Sequence, residues 1–449
     1  MKILIHSKSG DSAGLAWIMQ REGSDVSIFI KEPWAREVMS GLVPHVESIE
    51  EGLKEKPDVI LFDLNGDGQV AEKLRKDGWK VVGGSTLADK LEMDRAWAGK
   101  VASQYGIRTP STTEFKDIDA AIAFVKKAKR PFAIKIDNNQ SESSSYVGKD
   151  YEDMLGYMEQ AKEEGNIKHG NNFILQDIIR GAEVSTELWF SSGQPIYPAN
   201  STWETKKFLA GELGVRTGCE VSLVTHYPGN QSKLVDATIK KLFPLLKYSR
   251  WTGPIDVNCI VSEENQEPFF LEFTPRLGYS AIYALVAILG MPVSEFFYKV
   301  SHVIFSIPFK NTWGSSLKLH VPPYPAEIED KKAATETYGK TRGTRINGKY
   351  SDDFIPIDVQ KGKRTEFEIA GTTCIVGECL GRGKTLFEAW RGSQKVFKSV
   401  EVPNNGGRYT DGANDGWERI LKLRRWGYSD IPNPSAGERT ITPFAPAPA

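Results

Sequence analysis

The stretch Gly253–Arg276, GPIDVNCIVSEENQEPFFLEFTPR, decides how the rest of the chain is read. Ile255, Val257, Cys259 and Val261 share one parity, and Asp256 and Asn258 the other. Further on, Leu271, Phe273 and Pro275 alternate with Glu272, Thr274 and Arg276. Alternation of period two marks half-buried strands, and the intervening SEENQE supplies a polar turn. The stretch therefore predicts a hairpin with one apolar face and one face of oxygen ligands and a cation. Two registers keep the polar groups together: Asn258 opposite Glu272 with Asp256 opposite Thr274, or Asp256 opposite Glu272. In either, neighbouring carboxylates oppose each other's ionisation unless a cation lies between them, and a hard metal such as magnesium resolves that conflict. An ordinary hairpin whose acids pair with Arg276 or a nearby lysine fits the same pattern.

Upstream, Asp117 to Lys129 reads as a helix and Phe132 to Asp137 (FAIKID) as a strand, with Lys135 on the opposite parity to Ile134 and Ile136. The loop that follows, NNQSESSSYVG, offers hydroxyls at Ser143, Ser144 and Ser145. A strand lysine before a loop of small residues suits phosphate, and a solvated surface loop is the plain alternative. Next come FILQDII (Phe173 to Ile179), a turn Arg180-Gly181-Ala182, and EVSTELWF from Glu183. Strand, turn and strand-initial acid can form an adenosine slot, with backbone near Ile179 at the base edge and Glu183 at the ribose. Glu183 as an exposed strand-end acid is the alternative. Lys206 and Lys207 adjoin the glycine-punctuated AGELGVRTG, and a helix is expected from Gln231 to Lys247.

The first hundred residues alternate strand and helix signals: KILIH, Ala13 to Arg21, VSIFI, Pro33 to Met39, VILFD, Gln69 to Lys76 and KVVGG. That order predicts a parallel sheet covered by helices, with ligands beyond the carboxyl ends of the strands. Those ends carry His6 to Gly10 and Asp63 to Gly68, and the helix after the first offers an anion site or a simple turn. Lys90 to Tyr105 has helical spacing, with Asp94 an early acid. From about Thr312, short strands and a helix over Leu386 to Val400 suggest a small α+β unit. Trp417 to Tyr428 is a basic amphipathic helix, read as packed on its own domain in preference to a docking peptide. PNPSAGERTITPFAPAPA at the end is Pro/Ala-rich and expected to be disordered.

With 449 residues, 40% hydrophobic and 26% charged, the chain has the composition of a globular protein of two to four domains. Lys plus Arg (57) balances Asp plus Glu (58), which gives no support to a nucleic-acid or membrane partner. No 18-residue apolar run occurs and MKILIHSKSG turns polar too soon for a signal peptide, so a cytoplasmic location is expected. Four scattered cysteines and six scattered histidines form no zinc or nucleophile-triad signature.

Lys135 with its loop, QDIIRGAE, the lysine pair with RTG, and D-V-N followed by EFTPR together resemble an ATP-grasp domain. Among such enzymes the chain most resembles the phosphoribosylamine–glycine ligases of purine biosynthesis, up to about Asn414. The resemblance implies a multidomain fold of mixed α/β and α+β class. It comprises an N-terminal parallel-sheet (Rossmann-like) pre-ATP-grasp domain (1–105), an ATP-grasp domain (106–310), a C-terminal α+β domain (311–430) and a tail (431–449). It implies ATP and magnesium or manganese as cofactors, small-molecule carboxylate and amine substrates, and a monomer or homodimer. By position, Lys135 and Arg95 would touch ATP phosphates, with Ser144 and Lys206 beside them. Gln176, Asp177 and the Ile179 backbone would line the adenine slot and Glu183 would hold the ribose. Glu272, with Asp256 or Asn258 and Thr274, would bind metal, and Arg276 with Lys135 would serve the phosphoryl transfer.

The chain departs from the family in NNQSESSSYV, which has no glycine before Gly148, in Thr274 for a metal-ligand asparagine, and in Gly278-Tyr279-Ser280 for Gly-Asp-Pro. SKSGDSAG replaces the segment that holds the ribosylamine phosphate in the family, and NGDGQ replaces its EAPL-like segment. Two function classes follow: an ATP-dependent carboxylate–amine ligase working through an acyl phosphate, or a non-catalytic nucleotide-binding or scaffold protein of the same descent. Turnover separates them.

Overall fold

A computed structural model describes residues 1–136, 145–165, 167, 172–229, 231–326, 328 and 331–435. The N-terminal strands Lys2–Ser7, Asp25–Ile30, Val59–Phe62 and Val81–Val82 form a parallel sheet with Lys2–Ser7 between the second and third. Ile3, Ile5, Ile28 and Leu61 are buried in it. Helices Ala13–Arg21 and Gly68–Lys76 are as the spacing predicts, allowing for ends. Pro33 to Met39 is not a helix: only the 3-10 turn Pro33–Ala35 forms, and Met39 turns to φ +59 with its N–H on Val359 O. The tertiary bond to a distant strand wins over local propensity.

The helix expected over Lys90 to Tyr105 is two. Thr86–Met93 ends where the Asp94 carboxylate caps Arg95–Gln104 by accepting the Trp97 N–H at 2.9 Å. Asp94 is thus a cap, since a side-chain acceptor there satisfies an otherwise orphaned helix N–H. Gln231 to Lys247 is likewise broken, into Lys233–Ala237, a 3-10 segment Ile239–Leu242 and Phe243–Tyr248, whose first turn holds Pro244.

A small antiparallel sheet of Thr112–Phe115, Phe173–Gln176, Ala133–Ile136 and Ser145–Val147 packs Ile134, Ile136, Phe173 and Leu175 on helices Ile118–Ala128 and Tyr151–Glu163. Opposite stands an eight-stranded sheet. Its order is Pro268–Thr274, Gly253–Ser262, Gly181–Ser191, Gln194–Leu209, Leu213–His226, Trp313–His320, Ile375–Gly383 and Phe354–Pro356. One hydrogen-bonded ladder therefore runs from the opening hairpin into the C-terminal third. Helix Asn414–Arg425 buries Ile420 and Leu423 and sends Arg419 back to Glu204 O at 2.6 Å and Glu183 O at 3.2 Å. This basic helix is docked on its own sheet. The Pro/Ala tail from residue 436 and the loop 137–144, with Ser144, lie outside the described residues.

Candidate active site

The hairpin adopts the first of its two registers: Asn258 pairs with Glu272 and Asp256 with Thr274. On its other side Asp256 pairs with Glu187 and Asn258 with Ser185. Paired residues of adjacent strands project to one face. Thr274, Asp256 and Glu187 thus form one polar row, and Glu272, Asn258 and Ser185 the next. Ile255, Val257, Cys259 and Val261 are fully buried on the other face.

Cations converge on these rows from three directions. Arg95, in the first turn of Arg95–Gln104, donates to Glu272 Oε2. Lys135 crosses from the small sheet and donates to Leu271 O at 2.7 Å. Lys206 lies 3.4 Å from Glu204 Oε2 and 3.8 Å from Glu183 Oε1. Burial raises the Glu272 pKa, but Arg95, Lys206 and Lys135 outweigh it and hold the carboxyl well below the usual range. Burial lowers the Lys135 ammonium to about 8, against the opposing pull of Glu272.

Asp256 behaves oppositely. Burial first, then Glu187 and Glu204, push its pKa well above that of an ordinary carboxyl. Its Oδ1 and the Asn258 Oδ1 are buried without a hydrogen-bond partner. Two orphaned oxygens beside an ionised Glu272 are a donor set for a hard divalent cation. The residues present therefore fit magnesium, with Thr274 Oγ1 in the same row. Among the described residues no cluster of three His, Cys, Asp or Glu side chains of metal-binding type occurs, and all four cysteines are buried free thiols.

Arg95, Lys135 and Gln176 line one cavity of about 330 Å³ between the two sheets, with Phe270 and Leu271. Glu183 accepts from Asn258 Nδ2 at 3.2 Å. Asp177 does not join the group: its side chain is ion-paired with Arg130 at 2.6 Å. Ile179 is half-buried in the connection to Gly181. There a Cβ on Gly181 would lie 1.9 Å from Val261 O, so only glycine lets the turn approach the hairpin. Arg276 is held by Glu92, with Nη2 3.0 Å from Oε1, and burial, which lowers its pKa, is outweighed by that carboxylate. Sequence reasoning missed Glu92 and Glu204. Glu204 shares strand parity with Lys206, which was a usable signal; Glu92 had none.

At the N-terminal sheet the expected anion cradle is filled from within. Asp63 accepts from the Lys8 N–H at 3.2 Å, the Ser12 N–H at 3.3 Å, the Ser12 hydroxyl at 2.8 Å and the Ser7 hydroxyl. Burial, then the nearby Asp11, raise its pKa to about 6.

Two facing sheets with cations between them, over a carboxylate floor, have the arrangement of the ATP-grasp fold, and residues 93–278 match the family model "Phosphoribosylglycinamide synthetase, ATP-grasp (A) domain". The chain is similar to phosphoribosylamine–glycine ligases. That of Neisseria meningitidis serogroup B is 23% identical over 316 residues, 66% of this chain and 73% of that one. The crystal structure of phosphoribosylamine–glycine ligase from Thermotoga maritima matches with a TM-score of 0.68 at 18% identity, covering 91% of this chain and 99% of that one. A biotin carboxylase–β,γ-ATP complex from Campylobacter jejuni matches at 0.64 and 12% identity, covering 95% and 97%.

Proposed function

We propose that the protein is an ATP-dependent carboxylate–amine ligase. The observation that carries this is the convergence of Arg95, Lys135 and Lys206 with Glu272, Asp256 and Asn258 between the two sheets of an ATP-grasp fold. Arg95 and Lys135 hold the ATP phosphates, Gln176 and the Ile179 backbone line the base slot, and Glu183 takes the ribose. Glu272, with the free oxygens of Asp256 and Asn258, holds magnesium, which supplies charge neutralisation on the phosphates when bound.

The substrate carboxylate oxygen attacks the γ-phosphorus, the bond to the ADP oxygen breaks, and an acyl phosphate forms. The amine nitrogen then attacks the acyl carbon, phosphate leaves and a proton is released, giving an amide. Such transfers are driven by positioning and charge stabilisation, so the chain needs no nucleophile of its own. Arg276, oriented by Glu92, faces the transferring oxygens.

The names of the relatives make phosphoribosylamine and glycine the first pair to try. The Asp63-filled cradle argues for an amine whose phosphate, if it has one, is held elsewhere. A screen of amine and carboxylate pairs, read by ADP release, tests the proposal. ADP formation that requires both partners is expected; tight ATP binding with no ADP from any pair would sink it in favour of a non-catalytic binder.

A further inference from the structure

A second cavity, of about 460 Å³, lies where three parts of the chain meet. Trp34 reaches it from the 3-10 turn Pro33–Ala35 and Arg216 from the strand Leu213–His226. Tyr324, Tyr338, Arg342 and Thr373 come from the C-terminal third. Its size suits a small molecule, and junctions between packed units are where such ligands bind.

The lining is chemically specific. Arg216 is exposed, and among the described residues its guanidinium has no hydrogen-bond or ion-pair partner. Arg342 donates Nε to Ala370 O at 2.9 Å and stands 3.9 Å from Glu37 at the rim, which leaves donors of its five free. Two guanidiniums on one cavity select an oxyanion. The indole and two phenols select a flat ring for its body. Its residues neighbour those of the nucleotide side through the sheet, and the Arg216 charge acts on the Glu183 carboxyl. Arg216 pairs with Lys207, the neighbour of Lys206. The Tyr324 hydroxyl donates at 2.6 Å to Glu220, whose strand pairs Ser222 with Glu204.

We infer that this junction cavity binds a small molecule with an aromatic ring and a carboxylate or phosphate head, and that it is the substrate subsite of the ligase. The second half rests on the function proposed above; the binding itself does not.

Titration calorimetry on the full chain without ATP tests it, with 4-hydroxyphenylacetate, phenyl phosphate and the neutral 4-hydroxyphenylacetamide as probes. One oxyanion probe binds, its identity naming the head group, and the amide binds at least about tenfold more weakly. Arg216→Gln and Arg342→Gln, both at exposed side chains, each raise Kd by about the same factor, whereas Glu272→Gln leaves it unchanged. No binding of either oxyanion at millimolar concentration overturns the inference. So does equal binding of the amide, or binding that ignores both arginine variants. Probe binding without any ADP-forming pair would retain the pocket and discard the ligase; ADP formation without probe binding would do the reverse.

Discussion

Glu92 and Arg276 are 184 residues apart in sequence and share a two-point contact, with Arg276 Nε 3.2 Å and Nη2 3.0 Å from Glu92 Oε1. The same carboxylate takes the Asn65 amide through Oε2 at 2.5 Å, so one acid ties the N-terminal sheet to the hairpin. Removing one partner of a buried pair costs about 3–5 kcal/mol because the other charge is stranded. Arg276 retains 24% side-chain exposure, so Glu92→Ala is expected near the lower end, about 3 kcal/mol, by urea unfolding. In a double-mutant cycle with Arg276→Ala the double variant should lose less than the sum of the two single losses; strict additivity would mean the contact carries no coupling.

Glu272→Gln keeps the size of the side chain while removing the charge that Arg95 and a metal both need. Turnover should drop about 10²–10³-fold, the scale of losing one preorganised electrostatic group. Circular dichroism should be unchanged. A rate equal to wild type would remove Glu272 from the chemistry.

Asp63 has a folded pKa raised to about 6 by burial and by Asp11. A raised carboxyl favours folding while it is protonated, so its contribution is fully present below about pH 4 and is lost as pH rises through about 6. The melting temperature of wild type should therefore fall relative to that of Asp63→Asn, a neutral mimic of the protonated carboxyl, as pH rises across that window. Parallel profiles would place the titration elsewhere.

At Gly181 an alanine would drive its Cβ into the Val261 carbonyl. A forced backbone shift of this kind costs about 1–3 kcal/mol. Thermal unfolding should show the loss, and ATP affinity should fall with it because Ile179 and Glu183 flank the turn. A neutral Gly181→Ala would show that the hairpin can give way.

The opening hairpin was legible because alternation is a local signal: Ile255 to Val261 went inward, and the lysine of FAIKID faced the hairpin. Register was not, since both alignments kept the acids together; the one that forms carries a shift between Asn258 and Cys259 that alternation does not signal. Glu92 was invisible because its meaning lies in a residue far along the chain. Asp63 was read as part of a ligand loop, yet it satisfies the loop's own amides. The helix breaks at Asp94 and Pro244 are cases where a cap and a ring override periodicity. Asp177 looked like part of a slot because strand position sets a side, but Arg130 decides where the carboxylate turns.

The eight-stranded sheet crosses from the hairpin strands through Leu213–His226 to Trp313–His320 and Ile375–Gly383 as one sheet, with each strand paired to the next and the register shifted at a few bulges. A lineage of this architecture cannot trade its last third like a cassette, because every exchange would leave two raw sheet edges. If the junction cavity takes substrate, changes of preference fall to rim side chains such as Arg216, at the start of the strand Leu213–His226, and Thr373, which can vary while the pairing beneath them is kept.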